Sequence, residues 1–220
     1  MPIRIGLTGG IGSGKSTVAH LLEVMGIPVY ISDLQAHRLT HTSMDIRHEL
    51  VRLLGSDIYR DGRLNKPLLA TYLFADDQHL QAVNRIIHPR VRTDFRRWVR
   101  QHAALPVVGM ESAILLEAGF AGEVDRIVAV YAPTEVRIRR IIERDHLTAA
   151  QVEQRLHRQW DDEQKCRHAH FVLLNDGRTP LIPQLLNLLA MLPGNVPRTA
   201  LPYPAFGPAT SFTNQIKTSC

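Results

Sequence analysis

Cysteine is scarce in this sequence, and the scarcity limits the chemistry that the chain can carry. Cys166 and Cys220 are the only two cysteines among 220 residues, and neither has metal-ligand spacing around it. A disulfide framework and a cysteine-rich metal site are therefore excluded. We expect both residues to be free thiols in a reducing compartment.

Long apolar runs are also missing. No run approaches the ~18 residues that a membrane-spanning helix needs. The first apolar stretch, Ile3 to Leu7, leads directly into a glycine-rich loop instead of a cleavage site. We therefore expect no membrane partner, no signal peptide and a cytoplasmic location.

The chain is basic, with 26 lysines and arginines against 21 acidic residues, but it lacks motifs for binding nucleic acid or zinc. The net charge of +5 is compatible with a nucleic-acid surface or with arginines that converge on a small polyanion. No recognisable nucleic-acid-binding motif and no His-Glu-x-x-His zinc motif occur. We expect small-molecule partners, no nucleic acid, and a monomer or weak homo-oligomer.

The N-terminal segment combines a strand, a glycine loop and a helix. Ile3 to Leu7 has the apolar character of a buried strand, and Lys15 to Met25 carries apolar residues at helical spacing. Between them, Gly9 to Ser16 matches G-x-x-x-x-G-K-[ST] in full. Successive glycines let the backbone N–H groups point inward, and the helix adds the positive end of its dipole. The unit therefore predicts a phosphate site.

The loop and the first turn of the helix supply the predicted ligands of this site. Lys15 can reach the β- and γ-phosphates of ATP, and Ser16 can ligate Mg²⁺. The guanine motif Asn-Lys-x-Asp is missing, because Asn65-Lys66 continues as Pro67-Leu68, and this disfavours a GTPase switch. The ATP-binding residues that we predict here are Gly10, Gly12, Ser13, Gly14, Lys15, Ser16 and Thr17.

Asp33 follows the second predicted strand, Pro28 to Ile31. The carboxyl ends of strands form the ligand crevice of open α/β sheets, and a carboxylate there can take the proton from an acceptor hydroxyl. An aspartate at this position can equally be the N-cap of the next helix. Position alone does not separate the two roles, and one residue can serve both.

A helix predicted from Thr134 to about residue 145 carries four arginines, of which Arg137, Arg140 and Arg144 share one face. Guanidinium groups match phosphate oxygens well, although a surface helix with internal ion pairs has the same pattern. Because the phosphate loop is present, we favour a lid in which Arg140 and Arg144 contact phosphate.

Further short apolar runs complete the fold prediction. They lie near residues 106–110, 126–132 and 170–174, and their continuous hydrophobicity is typical of strands covered on both faces. With crossover helices between them, these strands predict an α/β P-loop NTPase fold. The sheet should be parallel, about five-stranded and flanked by helices.

The remaining segments are predicted mainly as helices. Residues 33–102 are mostly helical in pattern, with a turn at Asp61-Gly62 and with Pro89 ending one helix and starting another. A capping box at residues 148–151 predicts a helix to about residue 160, and Thr179-Pro180 opens a last helix to about residue 191. From residue 193 onward, five of the 13 prolines predict a loosely ordered extension.

Together these motifs resemble the dephospho-coenzyme A kinase family. The phosphate loop is shared by many NTPases, whereas His88-Pro89 and the Leu115-Leu116-Glu117 piece are far more specific at these distances. The matching segments, in the family's order across residues 3–190, are Leu7–Thr17, Asp33, Asp61–Leu64, Ile87–Val91, Leu115–Gly119, Glu143–Asp145, Gln154-Arg155 with Gln159, and Asn175–Gly177.

The resemblance implies an activity and a layout. The activity is Mg²⁺-dependent transfer of the ATP γ-phosphoryl group to the ribose 3′-hydroxyl of dephospho-coenzyme A, the last step of coenzyme A synthesis. The layout is a single kinase domain over residues 1–192. It includes a helical substrate lobe at about 34–104 and a lid at about 134–165, and residues 193–220 form a separate tail.

The resemblance also implies roles for individual residues. Asp33 would be the base, with Lys15 and Arg140 as the other catalytic residues. Arg144 would bind phosphate and Asn175 would lie near the adenine. The residues implied on the acceptor side are Thr8, Asp33, His88 and Glu117.

Two positions depart from the family pattern. Gln35 stands where family members often have a second aspartate, so that carboxylate is missing, and Ala113 replaces a proline. Two other functions fit the phosphate loop: a kinase for another small hydroxyl acceptor, and an ATP-dependent regulator without a small-molecule acceptor.

Overall fold

The computed structural model of the chain describes residues 1–145 and 159–192. The chain forms two compact units. The first, called the core unit here, comprises Met1–Tyr30 and the chain from Val99 onward. The second, called the inserted unit, is Ile31–Trp98. None of the described helices has the length and apolar character needed to cross a membrane.

Strands and helices alternate through the described residues. The strands are β1 (Ile3–Thr8), β2 (Val29–Ile31), β3 (Tyr59–Arg60), β4 (Arg63–Leu64), β5 (Val107–Glu111), β6 (Arg126–Tyr131) and β7 (Phe171–Leu174). The helices are α1 (Lys15–Val24), α2 (Ser32–Thr42), α3 (Met44–Leu54), α4 (Lys66–Ala75), α5 (Asp77–Gln101), α6 (Thr134–Asp145), α7 (Asp162–His168) and α8 (Leu181–Met191).

The core unit is built on a five-stranded sheet in the order β2-β5-β1-β6-β7. β1 pairs in parallel with β5 and with β6, and β6 pairs in parallel with β7. Every residue of β5 is buried, as expected for a strand with both faces covered. The predicted α/β fold with a five-stranded parallel sheet is confirmed.

Helix α1 positions the phosphate loop because its apolar face is fixed in the core. Val18 and Leu22 are fully buried, and α1 contacts β1, β5 and α8. On α8, Leu185 and Leu188 are buried in turn. Burying each of these leucines stabilises the fold by roughly 1.5–3 kcal/mol relative to exposure. The start of α1 is therefore held rigidly at the end of β1.

The inserted unit contains α2 to α4, most of α5 and a small hairpin. β3 and β4 pair antiparallel around Asp61 and Gly62, whose φ values are 50° and 75°. Two consecutive residues in the left-handed region are typical of a tight hairpin turn. The turn was predicted from the sequence, but its two-residue strands were too short to be recognised.

Helix α5 contradicts the prediction that Pro89 ends one helix and starts another. The helix continues through Pro89 from Asp77 to Gln101. Proline removes one backbone donor from a helix interior. The missing donor would have served the Arg85 carbonyl, and at the next carbonyl, that of Ile86, Arg90 Nη1 donates at 3.2 Å. A helix of 25 residues retains enough other hydrogen bonds to continue.

Two further differences concern helix ends. Helix α7 was not predicted, and Asp161 caps it by accepting a 2.6 Å hydrogen bond from the Gln164 amide. Pro180 is the N-cap of α8 and lies just outside the helix that it was expected to open.

The helix predicted at residues 148–160 lies, except for its last two residues, outside the described residues, as does the predicted extension from residue 193.

Candidate active site

The phosphate loop connects β1 to α1 in a conformation that requires glycine. Gly9, Gly12 and Gly14 have φ values of 144°, 81° and 93°, in the region that L side chains rarely adopt. Gly14 is the N-cap of α1 and offers no side chain to the helix amides. The first-turn N–H groups therefore have no side-chain cap from Gly14, an arrangement compatible with anion binding at the helix N-terminus.

Two of these glycines also leave room for neighbouring groups. A Cβ on Gly14 would overlap the side-chain amide of Asn175. A Cβ on Gly12 would lie 2.8 Å from the carbonyl oxygen of Arg137, nearer than real Cβ contacts. The loop is thus surrounded by residues from the end of β7 and from α6, which the sequence motif alone did not show.

Lys15, Ser16 and Thr17 lie together in the first turn of α1. Lys15 is 8% exposed, and its Nζ donates to the carbonyl of Gly10 at 3.1 Å. Ser16 and Thr17 are exposed. The ammonium group is therefore held at the loop, and the two hydroxyls are accessible to a ligand.

The neighbouring strand ends bring further polar groups to this edge of the sheet. Thr8 ends β1, and Leu7 is paired with Glu111 on β5. The Ser112 amide donates to the Leu7 carbonyl at 3.0 Å. Within the described part of the chain, the buried hydroxyl oxygens of Thr8 and Ser112 have no hydrogen-bond partner. Buried hydroxyls without partners are uncommon, and a bound ligand, ion or water is one explanation for them.

Glu111 and Ser112 were not predicted as functional residues. Glu111 is 6% exposed at the end of the strand next to β1. In P-loop NTPases an acidic residue at such a strand end assists the metal ion. The signal in the sequence is an apolar run, Val107 to Met110, that stops at a carboxylate. From the sequence, this run predicts a strand that ends at Glu111 and Ser112 and assigns neither residue a function.

Arg140 and Asn175, both predicted at the site, contact each other, and Asn175 also contacts the phosphate loop. Arg140 Nη1 donates to the Asn175 backbone carbonyl at 3.0 Å. The Asn175 side-chain amide donates to the Ser13 carbonyl at 2.8 Å. Helix α6 and the end of β7 are therefore connected to the loop through one chain of hydrogen bonds.

Arg144 lies one turn further along α6 and does not share these contacts. Its side chain is 62% exposed and pairs with Asp145, with Nε 2.7 Å from a carboxylate oxygen. The hydrogen bond from Arg144 to Asp145 raises the pKa of the guanidinium group above its ordinary value. A phosphate-binding role for Arg144 stays a prediction.

Arg137 is the arginine of α6 that is buried against the loop. It forms an ion pair with Asp162, and its Nε donates to the Ile11 carbonyl at 2.9 Å. Asp162 accepts from the Gly10 amide at 3.1 Å, and Gln159 accepts from the Ile11 amide at 3.1 Å. The spacing in the sequence predicts Arg137 on the arginine face of α6 but assigns it no role of its own.

Glu117 is paired with a fully buried lysine. Lys165 Nζ lies 3.1 Å from Glu117 Oε1 and donates to the Ala113 carbonyl at 2.7 Å. The same Glu117 oxygen accepts from the Trp160 amide, while Oε2 is buried without a hydrogen-bond partner among the described residues. Burial lowers the pKa of Lys165, and the pairing with Glu117 partly opposes that shift.

Asp33 lies in the inserted unit, in the first turn of α2. The N-cap of that helix is Ile31 and no side chain caps it, so the N-cap interpretation of Asp33 is wrong. A carboxylate in a first turn still gains from the helix dipole. Gln35, which replaces the family's second aspartate, accepts from Arg38 Nε at 2.6 Å, and Arg38 pairs with Asp94.

His88 also lies in the inserted unit, within α5. Burial lowers the pKa of its ring, and the nearby Arg92 guanidinium lowers it further. Both effects favour the neutral ring, and a neutral imidazole can both donate and accept one hydrogen bond. The proposed roles of Asp33 and His88 stay predictions.

The fold and the loop together define a class of protein. A glycine-rich phosphate loop leads from the first strand of a parallel sheet into a helix, and Arg137 of α6 donates to the Ile11 carbonyl of that loop. This arrangement is that of the P-loop phosphotransferases.

Comparison with known proteins narrows the class. A sequence model of the family CoaE, dephospho-CoA kinase, matches residues 3–180. A dephospho-CoA kinase of Bacteroides fragilis is 56% identical over 192 residues, covering 87% of this chain and 94% of the relative. One from Porphyromonas gingivalis is 39% identical over 188 residues, covering 85% and 93%. The chain belongs to the dephospho-CoA kinase family.

A solved structure supports the same fold. The crystal structure of TT1252 from Thermus thermophilus superposes with a TM-score of 0.73 at 37% identity. The match covers 88% of this chain and 99% of that one.

Proposed function

We propose that this chain transfers the γ-phosphoryl group of ATP to the 3′-hydroxyl of dephospho-coenzyme A, giving coenzyme A and ADP. The observation that carries the proposal is the family match across residues 3–180. Within this range the glycines of the phosphate loop have the positive φ values described above. The enzyme would complete coenzyme A biosynthesis as an alcohol-acceptor phosphotransferase.

The core unit would bind the triphosphate. The amides of the loop and of the first turn of α1 would hold the phosphates, and Lys15 would leave the Gly10 carbonyl to grip the β- and γ-phosphates. Arg140 would stabilise the charge of the transferring group, since its guanidinium is already fixed beside the loop by Asn175. Asn175 and Arg144 are the proposed further contacts to ATP.

Mg²⁺ fits the donor groups at this edge of the sheet. Ser16 is exposed in the first turn of α1, and Glu111 ends the adjacent strand. Both offer oxygen, the ligand that Mg²⁺ prefers, and Mg²⁺ usually binds through one or two protein groups together with substrate phosphates. When bound with ATP, the ion would neutralise charge on the β- and γ-phosphates. Ser16, assisted by Glu111, would hold it.

The residues proposed on the acceptor side are Thr8, Asp33, His88 and Glu117. Asp33 would take the proton of the attacking hydroxyl as a general base. Thr8 and Glu117 each have a buried oxygen without a partner in the described part of the chain, and such an oxygen can receive a hydrogen bond from a substrate. The neutral His88 ring would provide a further contact. Residues 34–104 are proposed as the substrate lobe and 134–165 as the lid.

The proposal also includes a cellular location, an oligomeric state and the binding partners of the enzyme. We propose a cytoplasmic enzyme, because ATP is supplied there, that works as a monomer or weak homo-oligomer without nucleic acid or membrane. Retention on immobilised DNA or RNA that falls steeply with salt would contradict the nucleic-acid part.

The acceptor is tested by a panel of alcohols. Purified chain with Mg·ATP is offered dephospho-coenzyme A, nucleoside monophosphates or shikimate, and ADP release and phosphorylated product are measured. We expect transfer to dephospho-coenzyme A alone, and loss of most of the turnover in Lys15→Ala because a charge that grips the phosphates is removed.

Two outcomes would contradict the proposal. Transfer to another alcohol, with none to dephospho-coenzyme A, would make the chain a kinase for a different acceptor. ATP binding or slow hydrolysis that no acceptor stimulates would indicate an ATP-dependent regulator.

A further inference from the structure

An ion pair between α6 and α7 holds the outer limb of the phosphate loop, here defined as Gly10 and Ile11. Asp162 accepts from the Gly10 amide, and Arg137 Nε donates to the Ile11 carbonyl. The two side chains also pair with each other. Each of them thus contacts the loop backbone and its partner at the same time.

Other groups also bind the outer limb, since the Ile11 amide donates to Gln159 and the Gly10 carbonyl accepts from Lys15 Nζ, each at 3.1 Å. Backbone hydrogen bonds from the loop itself include that of the Ser13 amide to the Gly10 carbonyl at 3.1 Å. The glycines at positions 10 and 12 give the backbone the freedom that a phosphate nest needs, at the cost of rigidity. Side chains from α6 and α7 therefore restrict a segment that its own sequence leaves loose.

Space at the loop is fitted to this pair. A Cβ on Gly10 would lie 2.7 Å from Asp162 Oδ1 and would also overlap the Arg137 guanidinium. The side chains of Arg137 and Asp162 are 7% and 14% exposed. The pair is consequently packed against the loop and is not a loose surface contact.

Charge makes the pairing important for ATP. Asp162 places a carboxylate at the amide of Gly10, beside the site for a polyanion. Unmatched, that carboxylate would repel the triphosphate strongly, because charges in a partly buried site are poorly screened. The buried guanidinium of Arg137 cancels it. The pair can therefore shape the loop without lowering its affinity for phosphate.

We propose that Arg137 and Asp162 are positioning residues of the phosphate loop, with Asp162 fixing the Gly10 peptide and Arg137 both fixing the Ile11 peptide and neutralising Asp162. The inference rests on the proposed function only in taking ATP as the ligand. It is tested by ATP binding without acceptor, so an error in the choice of acceptor leaves the test unaffected.

The experiment measures ATP affinity by titration calorimetry for single and double variants. Arg137→Gln should weaken ATP binding roughly tenfold, because it leaves Asp162 unmatched beside the phosphates. Asp162→Asn keeps the oxygen that accepts from Gly10 and should change affinity less. The double variant, without either charge, should recover most of the loss in ATP affinity.

Matched controls come from the same two helices. Arg139 is exposed on α6, and Glu163 is exposed on α7 in an ion pair with Arg167. Arg139→Gln and Glu163→Gln should leave ATP affinity unchanged. Affinity for dephospho-coenzyme A should also be the same in all variants.

Three results would overturn the proposal. One is an ATP affinity of Arg137→Gln equal to that of Arg139→Gln, and another is a double variant no better than Arg137→Gln. If Arg137→Gln does not fold, the test is instead a comparison of the ATP affinities of Asp162→Ala and Asp162→Asn. The alanine removes the acceptor for the Gly10 amide and should bind ATP more weakly than the asparagine, and equal affinities would contradict the positioning role.

Discussion

Asp33 is the residue to which the proposed function assigns proton transfer. Asp33→Asn preserves shape and removes the basic oxygen, so we expect kcat to fall by about 10²–10⁴, the usual contribution of a general base. ATP affinity should change much less, because the phosphates are held by the loop. Steady-state kinetics and direct ATP titration measure the two effects separately.

Asp45 provides the matched control for this prediction. It also lies in the first turn of its helix, α3, and it is exposed. Asp45→Asn therefore loses a similar interaction with a helix dipole but no proton acceptor. A near-normal kcat in Asp33→Asn, or an equal fall in Asp45→Asn, would remove the proposed base.

Single residues were predictable from the sequence where their function depends on near neighbours in the chain. The loop from Gly9 to Ser16 is such a case, since its residue spacing alone identifies a phosphate-binding motif. Arg137 was not, because its partner atom on Ile11 is 126 residues away in the sequence. Its pairing with Asp162 depends on how α6 and α7 pack, and no local pattern records it.

Helix α7 is the element that joins two parts of the core unit. Asp162 at its start contacts the phosphate loop, and Lys165 on the next turn contacts Glu117. The guanidinium of Arg137 is also close enough to the ammonium group of Lys165 to lower the pKa of that lysine. A short helix of seven residues thus carries contacts to both the ATP loop and the proposed acceptor side.

Lys165→Met tests how far α7 depends on its buried charge. The substitution leaves the Glu117 carboxylate without its cation, and breaking a buried pair in this way costs about 3–5 kcal/mol. Arg167→Met on the same helix removes an exposed pair with Glu163 and should cost under about 1 kcal/mol. Urea unfolding of the two variants gives the comparison.

A second variant separates the charge from the packing of α7. Adding Glu117→Gln to Lys165→Met removes the uncompensated carboxylate, so at least half of the lost stability should return. Equal losses in Lys165→Met and Arg167→Met would show that the buried pair does not stabilise the helix.

Strands were predicted well where an apolar run is several residues long. The prediction failed for very short strands and for the helix that contains a proline. Strands β1, β5 and β6 follow the continuous apolar runs, because burial on both faces imposes that pattern. The hairpin strands β3 and β4 have two residues each and leave no periodic signal. Pro89 misled the prediction for α5, since local propensity was overridden by the rest of a long helix.

For the molecule as a whole, alternation of strands and helices predicted the sheet, since parallel strands require crossover connections. The division into two compact units was not readable from periodicity. The inserted unit interrupts the core unit in sequence, and only packing shows that Ile31–Trp98 is compact by itself. The substrate lobe expected from the resemblance came from family order and not from a physical pattern.

The proposed end of the kinase domain at residue 192 gives the last prediction. Leu192 is 5% exposed and closes the last described helix, whose Leu185 and Leu188 are buried in the core. The TT1252 structure matches 88% of this chain while 99% of its own length is covered, so the fold is complete in a shorter protein. A chain that ends after Leu192 should therefore keep its melting temperature within about 2 °C, the scale of surface changes.

A shorter truncation gives this prediction its control. Ending the chain after Thr179 removes α8 and exposes the faces of α1 and β7 that it covers. Since each buried leucine contributes roughly 1.5–3 kcal/mol and the whole fold is stable by only about 5–15 kcal/mol, that chain should not fold. Calorimetry and the phosphotransfer assay are applied to both truncations and to the full chain. A loss of more than about 5 °C, or of most of the activity, on ending at Leu192 would mean that residues 193–220 belong to the functional domain, because surface substitutions alone do not have effects of that size.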